Sequence, residues 1–167
     1  MAEVAYDEYQ DPINQDIQDP LLQWVTFRLD EEKYGINVMA VQEVLKVTEI
    51  TQVPGAPDFV LGIINLRGNV VTVIDARTRF NLDHRDRDDN SRIVIIEAED
   101  QEVGILVDSV AEVVYMRGSE IEPTPAVGSD DSSKFIQGVN SSGSELLILV
   151  ELDKLLSEEE WGEIAAL

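Results

Sequence analysis

The stretch EVGILVDSVAEVV, Glu102–Val114, is present in a second version upstream as KYGINVMAVQEVL, Lys33–Leu45. The offset is 69 both from Gly35 to Gly104 and from Glu43 to Glu112. Gly35-Ile36, Val38, Val41 and Glu43-Val44 recur unchanged as Gly104-Ile105, Val107, Val110 and Glu112-Val113. Strand or helix rhythm alone does not reproduce residue identities at this density, so the segment reads as a duplicated unit.

The repeat extends both ways. Upstream, LQWVTFRL (Leu22–Leu29) and RIVIIEA (Arg92–Ala98) are rich in β-branched and aromatic residues, as strands are. Each leads through a polar link, DEEK or EDQE, into its Gly-Ile strand, which predicts a hairpin in each copy. Downstream, FVLGIINLRGNVVTVID (Phe59–Asp75) aligns with FIQGVNSSGSELLILVE (Phe135–Glu151) at an offset of 76. The extra residues of the second copy fall in Gly118–Ser133. VMAVQEVLKV (Val38–Val47) fits either a short helix or a bulged strand.

Five short strands per copy leave exposed edges in an open sheet, so each set is expected to curl into a small barrel. Gly35, Gly62, Gly104 and Gly138 lie inside strand patterns, where glycine marks bulges or sharp bends. Ile36, Val38, Ile105 and Val107 are expected in the core. A terminal helix is expected after Ser157, which forms a capping box with Glu160 and precedes apolar Trp161 and Ile164. Acidic HRDRDDN (His84–Asn90) reads as the linker between copies.

Composition narrows the function. The 167 residues carry a net charge of −22, 44% apolar residues and no cysteine. That charge repels phosphate backbones and anionic lipid heads, so no nucleic-acid partner is expected. The absence of cysteine excludes disulfides and thiolate chemistry. The first twenty residues hold six acids and no base, with neither the basic nor the apolar region of a secretory signal. They read as a disordered acidic leader. No apolar run approaches the ~20 residues of a membrane span, so no direct membrane insertion and a cytoplasmic location are expected.

Catalytic material is sparse. His84 stands in an HRD tripeptide, but the Gly-rich loop and Asp-Phe-Gly of a kinase are missing. No phosphate-binding loop occurs, and Asp86, Asp88 and Asp89 lack the spacing and glycine of a calcium loop. The expectation is no enzyme, no cofactor and no metal. INLRGNVV (Ile64–Val71) is less ordinary. Arg67 reads either as a solvated hairpin-tip residue or as a guanidinium fork presented to a partner. The second copy has SSGS (Ser141–Ser144) there, and this asymmetry favours function for Arg67.

YGINVMAVQEVLKV, VPGAPDFVLGIINLRGNVVTVIDAR, VGILVDSVAEVV and LLILVELDKLL together resemble the CheW family of bacterial chemotaxis coupling proteins. The resemblance runs from about Leu21 to Trp161, and Gly62–Asp75 carries its most specific motif. It implies a mainly β fold of two intertwined five-stranded SH3-like barrels with short helices and a C-terminal helix. The expected organisation is a leader at 1–20 and a CheW-like domain at 21–161. Within that domain the first barrel falls mainly in 21–80, a linker in 81–91 and the second barrel mainly in 92–156. A helix and tail close the chain at 157–167.

The resemblance further implies an adaptor between the regulatory domain of the histidine kinase CheA and the cytoplasmic tips of methyl-accepting chemoreceptors. Recruitment to membrane-associated receptor arrays goes with it. By position it places partner-binding roles on Val41, Glu43, Arg67, Gly104, Val110 and Val113. A paralogue serving another array, such as twitching motility, carries the same motif. A ligand-binding barrel or hydrolase is the alternative of a different class.

Overall fold

Among the described residues ten strands follow one another in two passes of five, as the repeat requires. The computed structural model describes residues 19–123, 135–141 and 143–167. Residues 1–18 of the expected leader and residues 124–133 of the second-copy insertion lie outside them. The first pass is β1 (Leu21–Leu29), β2 (Glu32–Asn37), β3 (Val41–Lys46), β4 (Val60–Leu66) and β5 (Asn69–Asp75), closed by the one-turn helix α1 (Ala76–Arg79). The second is β6 (Arg92–Ala98), β7 (Gln101–Val107), β8 (Ser109–Arg117), β9 (Ile136–Asn140) and β10 (Leu147–Val150). Helix α2, Glu158–Ala165, follows with its Ser157/Glu160 capping box formed.

The segment that fitted helix or bulged strand is both in succession. Val38–Ala40 make a 3-10 turn capped by Asn37, whose Oδ1 accepts the Met39 N–H at 2.9 Å. β3 then pairs with β6 and slips register between Val41 and Glu43. The β1–β8 pair slips at the corresponding place, between Val25 and Phe27 opposite Val113 and Val110.

The barrels do not divide at the linker. One sheet has the order β8-β1-β2-β10-β9, the other β3-β6-β7-β5-β4. Each pass lends its opening hairpin to the other pass's three strands. The expected split of 21–80 from 92–156 is therefore corrected: one barrel, here the Trp24 barrel, combines β1 and β2 with β8, β9 and β10. The other, the Arg67 barrel, combines 41–75 with 92–107.

Each sheet is closed by a residue just past the third strand of a pass, β3 in one and β8 in the other. Thr51 exchanges backbone hydrogen bonds with Ile63 at 2.8 and 2.9 Å, and Glu122 does so with Val139 at 2.7 and 2.9 Å. The glycine beside each closing bridge leaves room for the crossing chain. A Cβ on Gly62 would lie 2.2 Å from the Thr51 carbonyl oxygen, and one on Gly138 2.8 Å from that of Glu122. Both glycines adjoin register shifts, as expected. Gly35 and Gly104 do not: their strands pair regularly, and they make room for Leu149 and Ile93 side chains.

Among the described residues three apolar clusters result. Ile64, Val71, Val73, Ile93, Ile95 and Leu106 fill the Arg67 barrel, and Trp24, Met116, Leu147 and Leu149 fill the other. The largest lies between the barrels. It pairs repeat equivalents, Val25 with Val94, Ile36 with Ile105 and Phe59 with Phe135, and is capped by Leu155, Trp161 and Ile164. This explains why RIVIIEA is apolar at successive positions: Ile93 and Ile95 point into a barrel, Val94 and Ile96 into the shared core. Val38, expected to be buried, is only half-buried against that core.

Candidate functional site

Asn65, Arg67 and Gly68 build the turn that ends β4. Arg67 and Gly68 take φ of 51° and 88°, the left-handed values a two-residue hairpin turn needs. The Asn65 Oδ1 accepts the Gly68 N–H at 2.9 Å and fixes the turn. Thus held, the Arg67 guanidinium reaches across the barrel mouth to Glu43 on β3. Nη1 donates to Oε1 at 3.1 Å and Nη2 to Oε2, a bidentate fork. The hydrogen bond from Arg67 holds the Glu43 carboxyl below its ordinary range, and Glu43 raises Arg67 in return. The fork expected to face a partner is therefore engaged within the chain. Arg67 keeps 69% of its side chain exposed and Glu43 28%, so the pair is presented as one surface unit.

The other expected residues separate by exposure. Val41 and Val110 are repeat equivalents, half-buried against the central core opposite Ile96 and Phe27. Val113 is exposed opposite Val25, as its equivalent Val44 is opposite Val94. Gly104 is buried, and a Cβ there would come within 2.8 Å of Ile93 Cγ2, so it presents no surface. Val41, Glu43 and Arg67 belong to one barrel, Val110 and Val113 to the other. His84 is exposed beside Asp86 at 3.3 Å.

An ionic cluster around one buried arginine escaped the sequence reading. Arg77 on α1, only 6% exposed at its side chain, donates from Nε to Asp108 Oδ1 at 2.7 Å and from Nη2 to Oδ2 at 2.6 Å. It also donates from Nη2 to Asp30 and from Nη1 to the Asp83 carbonyl at 2.8 Å. The cluster ties the β1–β2 turn, α1, the linker and the β7–β8 corner together. Burial by itself raises the Asp108 carboxyl, but hydrogen bonds from Arg77 and the Asp30 N–H outweigh it and leave it lowered. Its one sequence trace is asymmetry: the repeat equivalents of Asp108 and Arg77 are Met39 and Asp153.

At the mouth of the Trp24 barrel lies an open cleft of about 290 Å³, between Lys33, Glu112, Tyr115 and the turn at Gly143. Among the described residues no His, Cys, Asp and Glu form a group able to hold a metal ion. Among the same residues no helix is long and apolar enough to cross a membrane.

Comparison with known proteins matches this architecture. The family model of the CheW-like domain matches residues 23–160. The chemotaxis protein CheW of Klebsiella aerogenes is 34% identical over 138 residues, 83% of either chain. That of Bacillus subtilis is 35% identical over 135 residues, covering 81% of this chain and 86% of its own. The crystal structure of the scaffolding protein TtCheW from Thermoanaerobacter tengcongensis superposes with a TM-score of 0.76 at 37% identity, covering 83% of this chain and 94% of its own. With motif, strand order and relatives in agreement, the chain belongs to the CheW-like domain family.

Proposed function

We propose that this chain is a chemotaxis coupling scaffold that joins the regulatory domain of the histidine kinase CheA to the cytoplasmic tips of methyl-accepting chemoreceptors, without catalysis of its own. The observation that carries the reading is membership over residues 23–160, a span that holds both barrels and the exposed Glu43–Arg67 pair. Joining partners requires rigid surfaces rather than a reactive cleft. Two closed barrels around a shared core provide them, with Val44 and Val113 exposed at equivalent places.

Val41, Glu43, Arg67, Val110 and Val113 are proposed as contact or contact-shaping residues, and Gly104 as a packing residue behind them. Recruitment to membrane-associated arrays follows from the receptor contact. The test is capture of CheA and receptor fragments by the purified chain. Arg67→Ala is expected to weaken receptor-fragment binding about tenfold, the scale of a lost charge-assisted contact. Arg67→Lys, which keeps the charge but not the fork, is expected to fall between. The melting temperature should barely move, because an exposed ion pair adds little to stability. Unaltered binding by Arg67→Ala would remove the pair from the partner surface. Failure of the unaltered chain to capture either protein would overturn the coupling role itself.

A further inference from the structure

Lys46 and Arg92 are Cα partners where β3 pairs with β6, so two cations stand opposite each other on one face of the sheet. Their neighbours Leu45 and Ile93 pack inside the Arg67 barrel, which turns the cation pair outward. The repeat places Tyr115 and Gln23 at the same two positions, and these are Cα partners as well, without charge. Like charges directly opposed across strands are destabilising, so the fold gains nothing from having cations here.

The chain does not neutralise them either. Arg28, Lys33, Arg67, Arg77 and Arg79 each reach a carboxylate. Among the described residues Lys46 and Arg92 reach none. The Arg92 Nη1 donates instead to the Asp89 and Ser91 carbonyls, both at 2.8 Å. The Asp88 carboxylate of the same loop is taken by the Asn90 and Ser91 N–H groups at 2.8 and 3.2 Å. In a chain of 34 acids and 12 bases, two adjoining cations without a carboxylate stand out. Val44, two residues along β3 on the same face, is exposed beside them.

We infer that this face docks an acidic helix of a partner protein, which presents two carboxylates one turn apart to Lys46 and Arg92 and an apolar side chain to Val44. Opposed side chains on a sheet start about 5 Å apart, which is also the spacing of side chains one turn apart on a helix. Each cation then meets one carboxylate, and the repulsion between Lys46 and Arg92 is relieved on docking. A phosphate chain is a poor occupant, because the net charge of −22 repels a polyanion as a whole. A second copy of the chain is repelled for the same reason. The inference rests on the coupling role only in needing a protein partner.

The experiment titrates the full chain with an alanine-based helical peptide and follows backbone amide shifts. The peptide carries glutamates at i and i+4 beside a leucine. Shifts are expected at residues 44–46 and 92–94, and glutamine in place of both glutamates should weaken binding about tenfold or more. Lys46→Gln and Arg92→Gln should each weaken it, and affinity should fall as salt rises. The double variant Lys46→Glu with Arg92→Glu should lose the glutamate peptide and take up its lysine counterpart. No binding at about 1 mM peptide, equal binding of the glutamate and glutamine peptides, or indifference to both single substitutions would overturn the site. Displacement of the peptide by inorganic pyrophosphate at equal concentration would overturn the carboxylate partner in favour of a phosphate ligand. Residues 1–18 hold five acids and no base, so their removal is the remaining arm. An affinity for the peptide raised about tenfold by that removal would overturn the foreign partner in favour of the chain's own leader. Capture of CheA and receptor fragments by the unaltered chain is scored separately. Its loss with peptide binding intact sinks the coupling role alone, and the converse sinks the docking face alone.

Discussion

Asp108 and Glu43 are both carboxylates paired with arginine, and they answer to different measurements. Asp108 is mostly enclosed, so Asp108→Asn leaves the buried Arg77 guanidinium short of charge. The expected cost is about 3 kcal/mol, read by urea denaturation at neutral pH. Because the folded Asp108 carboxyl lies below its unfolded value of about 3.9, its contribution is complete above that value and fades as pH falls through the folded one. The gap between wild type and Asp108→Asn should therefore be constant above about pH 5 and shrink below about pH 4. A gap that widened in acid would contradict the assignment. Glu43 is only partly buried, at the barrel mouth, and its lowered carboxyl implies the same direction of pH dependence. Its loss should show in partner binding rather than in the melt. At this scale the sequence singled out Arg67 by its turn and by its absence from the second copy. It could not show that Glu43, on a strand not paired with the turn's own, was the acceptor.

The closing bridges are what each strand set needs to become a barrel, and glycine is where the requirement reaches the sequence. Gly62 has φ of 153° and the Thr51 carbonyl against its missing Cβ. Gly62→Ala is expected to cost about 3 kcal/mol, with faster hydrogen exchange at the Thr51 and Ile63 amides. Gly55 serves as the control: its φ is 79° but nothing lies within 4 Å, so Gly55→Ala should cost about 1 kcal/mol from backbone strain alone. Similar costs for the two would mean that the crossing chain is not what demands glycine at Gly62. Four glycines were legible as breaks in strand pattern, but the pattern does not distinguish a bulge from close packing. Gly35 and Gly104 prove to be the second kind, since a side chain from a neighbouring strand occupies their missing Cβ.

For the molecule as a whole, exchange of hairpins makes each half incomplete alone. β1 pairs with β8, β2 with β10, β3 with β6 and β5 with β7, each pair crossing between passes. The linker adds the contacts of Asp83 and Arg85 to the ionic cluster and packs Leu82 against the shared core. With a protease site replacing Asp86–Asp89 and the full chain folded before cleavage, the two pieces should co-elute as one particle. Separation on cutting would show that the linker, rather than the crossed sheets, holds the halves. Ile36→Asp and Ile105→Asp place a charge in the shared core and should abolish folding, as circular dichroism would report. A native spectrum from either would remove that position from the core.

Duplication, strand identity, hairpin tips and the terminal helix's cap were set within local sequence, because alternation and capping act over a few residues. The partition of strands between barrels, the Arg67–Glu43 fork and the Asp30–Arg77–Asp108 cluster were decided only in three dimensions. Each depends on which distant strand lies alongside. Two copies of one pattern can pair within themselves or across, and their periodicity reads the same in either arrangement. Burial of both faces of β1 and β6, once the passes cross, selects the arrangement observed.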